Sequence, residues 1–264
     1  MHHPYVNIAI EAGLSASRAI LQHFDHLDRL KMTEKSQHDF VSEADLHAEK
    51  IIIKTIKTAY PDHGIIAEES TPQESTHDCR WIIDPIDGTF NFVHGIPHFC
   101  ISIAVEIKGK IEHGVIIDPL RQEIFSATRG RGAYLNNKRI RVSPQGLLSN
   151  SVVATNIPHA RRQTETYQEY LRIFNAFLPV CARIRHMGSA ALDLAYVAAG
   201  RLDGYWARGL NYWDIAAGSL LVFEAGGLLS DFNGGENYLA HGNIVATTPK
   251  ILKGLLQTFA SAAK

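Results

Sequence analysis

Cysteine is scarce in this chain, and neither sign of charge is in excess. The 264 residues hold three cysteines, Cys79, Cys100 and Cys181. The count is odd and no two form a C-x-x-C pair, which argues against a disulfide framework or a zinc site. Three buried thiols in a reducing cytoplasm are expected instead. Apolar runs such as 194–199 and 220–223 fall far short of the roughly 20 residues that a spanning helix needs. No membrane association is expected. The opening Met-His-His-Pro-Tyr has no basic segment followed by an apolar one, so no secretory signal is expected. Lys and Arg total 26 against 27 Asp and Glu, a net charge of -1, which leaves no broad electrostatic footprint for nucleic acid. Several catalytic motifs are also missing. There is no G-x-x-x-x-G-K-[ST] loop, no G-x-S-x-G elbow, no G-x-G-x-x-G loop and no H-E-x-x-H pair. His94 and His98 are four apart, but Gly95 and Pro97 between them argue against a helix that would align them, so no histidine is assigned to a metal.

What remains is an ordinary globular composition, 45% hydrophobic and 20% charged, long enough for one large domain or two closely joined halves. Val6, Ile10, Gly13, Ser17, Ile20 and Phe24 recur at helical spacing. The polar stretch 25–39 reads as a loop or flap. Ser42-x-x-Asp45 resembles a capping box opening a second helix, which Pro61 ends. Strands are expected at 64–67, 80–84, 99–106, 111–118 and 123–128, with a hairpin turn at Lys108-Gly109-Lys110. Beyond about 150 strands and helices alternate. Strands are expected at 152–155, 180–185, 202–207 and 227–231, and helices at 163–177, 189–199, 213–225 and 249–262. The pattern predicts mixed sheets layered with helices, in an N-terminal half, 1–144, and a C-terminal half, 145–264, forming one compact unit.

The chemistry concentrates in Trp81-Ile82-Ile83-Asp84-Pro85-Ile86-Asp87-Gly88-Thr89. An apolar strand runs into Asp84, Pro85 blocks further ladder pairing, and Asp87 returns three residues later, so two carboxylates can converge. Gly88 permits a close approach of backbone to ligand, and Thr89 can open a short helix suited to phosphate. Two carboxylates beside such a helix start suit a divalent cation with a phosphate, and magnesium prefers oxygen ligands of this kind. Ala67-Glu68-Glu69-Ser70 follows another strand and offers one more acid, Glu68 before Glu69. Asp214 opens a helix after Asn211-Tyr212-Trp213, where an acid can cap the helix or hold a cation. Asp45 is explained by its capping box alone, and Lys35 sits in the polar loop.

These segments together resemble the inositol monophosphatase family, within the magnesium-dependent, lithium-sensitive sugar phosphatases. Residues 81–89 and 213–218 look like its two signature motifs, 67–70 and 41–45 also match, and 188–204 is similar to bacterial members. The resemblance implies a layered α/β/α/β/α fold, a homodimer, and two or three Mg2+ ions. Glu68, Asp84 and the Ile86 carbonyl would hold one ion, with Thr89 near it, and Asp84, Asp87 and Asp214 a second. A third would sit by Glu68. Gly88 and Thr89 would give backbone N–H groups to phosphate, Thr89 and Asp45 would orient and deprotonate water, and Lys35 would reach in from a flap. Ala190 matches a pocket residue. A family glutamate seven residues before Asp214 is replaced here by Ala207, followed by Arg208, which could serve another polyol or a second anionic group. Inositol 1-phosphate or a related polyol or sugar phosphate is the expected substrate. Histidinol phosphate, fructose 1,6-bisphosphate and a nucleotide 3′-phosphate are alternatives. Some bacterial relatives also partner the transcription machinery in RNA antitermination. Arg161, Arg162, Arg183 and Arg185 are basic candidates for such a surface.

Overall fold

A computed structural model describes residues 2–30, 32–36, 39–73, 77–157 and 164–262, and their side chains apart from 32–36, 39–41 and 164–166. The chain opens with α1 (Pro4–Phe24). Residues 25–39, expected as a loop, instead hold a 3-10 turn at Leu27–Arg29 and enter a hairpin of β1 (Met32–Ser36) and β2 (Asp39–Ser42). Main-chain pairing makes that hairpin, and a reading by hydrophobicity does not register it. Next come α2 (Glu43–Ala59), β3 (Gly64–Ala67), β4 (Cys79–Asp87) and α3 (Thr89–Val93). A meander follows: β5 (Cys100–Ile107), β6 (Lys110–Asp118), β7 (Glu123–Thr128), β8 (Gly132–Leu135) and β9 (Lys138–Arg139). The second half runs β10 (Val152–Thr155), α4 (Thr164–Phe177), β11 (Arg183–Arg185), α5 (Ala190–Ala198), β12 (Gly204–Ala207) and α6 (Tyr212–Glu224). It ends with β13 (Leu228–Ser230), α7 (Tyr238–His241), β14 (Ile244–Thr247) and α8 (Leu252–Ala262).

Two sheets result. Strands β3 to β9 lie in sequence order in a seven-stranded sheet, antiparallel except for β3 beside β4. The other sheet has five strands in the order β11-β10-β12-β14-β13. Helices α1 and α2 bury an apolar face on one side of the large sheet around Trp81, Ile103 and Ile117. Helices α5 and α6 fill the space between the sheets with small residues such as Ala191, Ala195, Ala216 and Ala217. Helices α4 and α8 cover the far side of the small sheet around Trp206, Phe177 and Phe259. The layers therefore run α/β/α/β/α.

Most expected elements are present within a few residues. The differences have local causes. The β5–β6 turn lies where it was expected, with Lys108 and Gly109 both at positive φ (51° and 75°), which matches the right-handed twist of the strands it joins. Asn136 and Asn137 make a similar two-residue turn (φ 46° and 65°) between β8 and β9, a hairpin not read from the sequence. Strand β14 was also not anticipated, although it is fully buried and lies between β12 and β13. The strand expected at 180–185 shrinks to β11. Cys79 and Cys100 are buried as expected, but Cys181 is only half-buried. Among the described residues no helix is long and apolar enough to cross a membrane.

Candidate active site

Strand β4 does not stop at Asp84. It continues to Asp87 through an irregularity in its pairing with β5, where Asp84 faces Ser102 and Asp87 faces Cys100. Three steps on β4 thus match two on β5, a bulge that turns both acids toward one point. The Asp84 carboxylate accepts the Ile86 N–H at 3.1 Å and stiffens that bend. Gly88 then takes φ 94°, and a Cβ there would meet the His98 carbonyl at 3.1 Å and the Gly188 carbonyl at 3.2 Å. Only glycine fits the link from β4 to α3.

Other elements bring their acids to the same place. Strand β3 runs parallel to β4, and Glu68 follows it with its N–H on the Ile83 carbonyl (3.2 Å), so its side chain leaves the sheet beside Asp84. Glu68 hydrogen-bonds the Asp84 carboxyl. Helix α6 carries Asp214 in its first turn, with Oδ2 accepting the Asn211 N–H at 2.7 Å. Asp84, Asp87 and Asp214 each offer an oxygen within 4.8 Å of the others. Asp45 approaches from α2. Its Oδ2 accepts the Ser42 N–H (2.9 Å) and hydroxyl (2.6 Å), and its Oδ1 lies 3.1 Å from the Thr89 hydroxyl. That hydroxyl is also 3.0 Å from the Ile86 carbonyl.

Burial and mutual repulsion set the electrostatics. Asp84 is 1% exposed, and its carboxyl is pushed well above its ordinary value, first by burial and then by Glu68, Asp87 and Asp214. Burial also raises Asp87 and Asp45, against the hydrogen bonds each accepts. Crowded, partly desolvated carboxylates of this kind call for a cation. The donors are all oxygen, from carboxylates with a main-chain carbonyl at hand, and they match a hard divalent cation such as Mg2+ rather than a thiolate- or imidazole-seeking metal.

The positions expected from the sequence divide into two groups. Glu68, Asp84, Ile86, Asp87, Asp214, Asp45, Gly88 and Thr89 converge. Ala190 is near them at the start of α5, buried, where its N–H with that of Ala191 faces Asp87. Arg208 is turned elsewhere. It pairs with Glu169 of α4, lies 5.3 Å from the Phe232 ring centre, and lines a cavity of about 490 Å³ that includes none of the four acids. Lys35 lies in β1 and its side chain is outside the described residues, as are Arg161 and Arg162.

Two contributors were not read from the sequence. The Ser189 hydroxyl donates to Asp87 Oδ2 at 2.6 Å, as does the Ala191 N–H at 2.7 Å. Ser189 is the N-cap of α5, yet its hydroxyl makes no bond to its own helix and serves Asp87 instead. The sequence marked that position only as the start of the helix expected at 189–199. Glu49, buried on α2, accepts the Glu69 N–H at 2.9 Å and so anchors the segment that carries Glu68.

A layered α/β fold with a hard-donor acid cluster at the end of a buried strand defines a protein suited to hold a divalent cation. The comparisons narrow that class. The model of the inositol monophosphatase family matches residues 1–263, and the chain belongs to that family. Its members are magnesium-dependent and act on phosphorylated sugars, and this chain is a phosphatase of that kind. It is 49% identical over 255 residues to the protein named Nus factor SuhB of Escherichia coli K12, covering 96% of this chain and 95% of that one. Among solved structures, the extragenic suppressor protein suhB of Bartonella henselae superposes with TM-score 0.94 at 41% identity, over 97% of this chain and 98% of that one. The Thermotoga maritima IMPase superposes with TM-score 0.89 at 33% identity, over 99% and 98%.

Proposed function

We propose that this chain hydrolyses inositol 1-phosphate or a closely related small polyol phosphate at the acid cluster. The observation that carries the reading is the meeting of Asp84, Asp87 and Asp214 oxygens within 4.8 Å at the end of β4. Glu68, Asp84 and the Ile86 carbonyl would hold one Mg2+, Asp84, Asp87 and Asp214 a second, and a third would sit by Glu68. Bound Mg2+ supplies the positive charge that neutralises the ester and lowers the pKa of water. The remaining work falls to the chain. Thr89 orients the attacking water, and Asp45, held at three points by Ser42 and Thr89, receives its proton. Backbone N–H groups of Gly88 and Thr89 hold the phosphate at the start of α3. Asp214 and Ala190 border the polyol, and Lys35 serves the flap. Arg208, engaged with Glu169 and stacked near Phe232, is left out of the substrate site in this reading. The segments 1–144 and 145–264 act as one catalytic unit, because Ser189 and Ala191 of the second hold Asp87 of the first.

Asp87→Asn should lower magnesium-dependent turnover by about a hundredfold or more while the fold persists. Near-wild-type turnover at saturating Mg2+ refutes the assignment. Ala207 carries no hydrogen-bonding group where the family has a glutamate. The substrate is therefore to be ranked in one panel of inositol 1-phosphate, histidinol phosphate, fructose 1,6-bisphosphate and a nucleotide 3′-phosphate.

The name of the E. coli relative favours a second, coexisting reading: a role as a partner of the transcription machinery. Arg183 and Arg185, exposed on the edge strand β11, supply a basic patch. Wild type should retain RNA polymerase components in a pull-down, and an Arg183→Glu/Arg185→Glu variant should not. Equal retention by both removes that patch from consideration.

A further inference from the structure

Behind Asp87 lies a buried pair that the proposed chemistry does not use. His98 Nε2 is 3.0 Å from Asp193 Oδ1, although the two residues are 95 apart in sequence. His98 is 7% exposed and Asp193 0%. His98 belongs to the segment between α3 and β5, eleven residues beyond Asp87. Asp193 stands in the first turn of α5. The same two segments meet at Asn91, whose Nδ2 donates to the carbonyls of Met187 and His98, each at 2.7 Å. Where they touch, the Gly88 backbone leaves no room for a Cβ against Gly188 and Ser189.

The groups that aim Asp87 come from the same end of α5. Ser189 and Ala191 both bind its Oδ2, which leaves Oδ1 as the acceptor that can face a cation. The placement of α5 therefore decides how Asp87 points. A carboxyl at the start of a helix gains from the helix field, but at zero exposure it also needs a hydrogen-bond donor. Asp193 Oδ2 has no partner among the described residues, so the imidazole provides the one side-chain donor to this carboxyl. Removing the imidazole leaves a buried acid unpaired, and the turn that carries it must shift or take in water.

We propose that His98 and Asp193 are positioning residues, whose hydrogen bond holds the first turn of α5 on Asp87 and so sets the free oxygen of Asp87 for a divalent cation. The proposal rests on the reading of Asp87 as a cation ligand. Partners that orient a metal ligand from behind change metal affinity by about 10- to 100-fold when removed. A pair that served only as a staple for the fold would change stability and leave cation affinity alone.

The test uses the full chain and Mn2+ as probe, with free ion followed by electron paramagnetic resonance, alongside kcat and KM for the best ester of the panel. His98→Asn is too short to reach Asp193. It and Asp193→Ala should weaken Mn2+ binding about tenfold and lower kcat at fixed Mg2+, with little change in KM. His98→Gln places an N–H where Nε2 was, and Asp193→Asn keeps an acceptor. Both should bind Mn2+ within about twofold of wild type, as retained geometry requires. A His98→Asn protein that melts lower but binds Mn2+ like wild type overturns the proposal. Asp87→Asn is the control. If it binds Mn2+ unchanged, the ligand reading itself fails, an outcome distinct from the previous one. If the truncated variants do not fold, the double variant His98→Phe/Asp193→Leu replaces the pair by apolar groups of similar volume. It must then show the weakened Mn2+ binding, and a wild-type midpoint in it overturns the proposal equally.

Discussion

At the scale of the residue, burial converts ordinary side chains into pH-dependent ones. His113 on β6 stacks on His3 at 4.2 Å between ring centres and lies 3.0 Å from the Thr128 hydroxyl. Burial, then the neighbouring His3 and Arg131, push it down from 6.5 to about 4. The folded state thus favours the neutral ring. Its contribution to stability is complete above about 6.5 and is lost as pH falls toward 4. His113→Gln cannot titrate. It should therefore lose less melting temperature than wild type between about pH 7 and pH 4.5, as read by circular dichroism. An equal loss in both proteins contradicts the shift. At Gly88 sterics decide instead. A positive φ and two carbonyls within 3.2 Å of an added Cβ restrict the link between β4 and α3 to glycine.

At the scale of the element, α6 carries the heaviest constraint. An added Cβ on Gly218 would stand 2.6 Å from the Leu194 side chain of α5, and one on Gly114 of β6 would stand 2.9 Å from the Ala217 carbonyl of α6. The helix is pressed against both neighbours at once, and the small residues on its face make that possible. Its N-terminus is tied down by Tyr212, whose hydroxyl donates to Glu106 at 2.6 Å, while Arg80 donates to the same glutamate at 2.9 Å. The Ser102 hydroxyl adds a bond to the Trp213 carbonyl at 3.2 Å. Because α5 aims Asp87 and α6 carries Asp214, their spacing is also the spacing of two candidate ligands. Gly218→Val should cost about 1–3 kcal/mol in urea unfolding through overpacking. It should also weaken cation binding, since the two helices are driven apart. Loss of stability with an unaltered cation midpoint separates the packing from the site.

At the scale of the molecule, acids from β4, α6 and the residue after β3 gather in one place, with Asp45 of α2 behind Thr89, and each raises the cost of ionising its neighbours. Binding of a divalent cation to the folded state alone should raise its stability. At a concentration near 100 times Kd the gain is about 2.7 kcal/mol. For a chain of this size that is roughly 5–10 °C in melting temperature. A thermal shift with Mg2+, reversed by a chelator, is the expected result. An unchanged midpoint would remove the cation from the site.

Much of this was legible in the order of the residues. The strand running into Asp84-Pro85-Ile86-Asp87-Gly88, the capping box at Ser42 and the opening of α6 at Asp214 are local patterns, written by propensity, proline and glycine. Helix periodicity likewise marked α1 and α2. Short-range rules could not see the β1–β2 hairpin or β14, whose identity depends on a partner strand. Nor could they place Arg208, whose guanidinium is claimed by Glu169 and Phe232 from distant elements. Which donors would meet Asp87 was decided only in three dimensions. Ser189 read only as the first residue of an expected helix and His98 as a histidine with no metal to hold, and each acquired its role from a residue about a hundred positions away. The sequence by itself determined the acids and the backbone bends that present them, because those depend on neighbours along the chain. The tertiary structure decided how each acid is aimed and what stands behind it, because a hydrogen bond to a buried carboxylate depends on packing between layers that meet only when the fold closes.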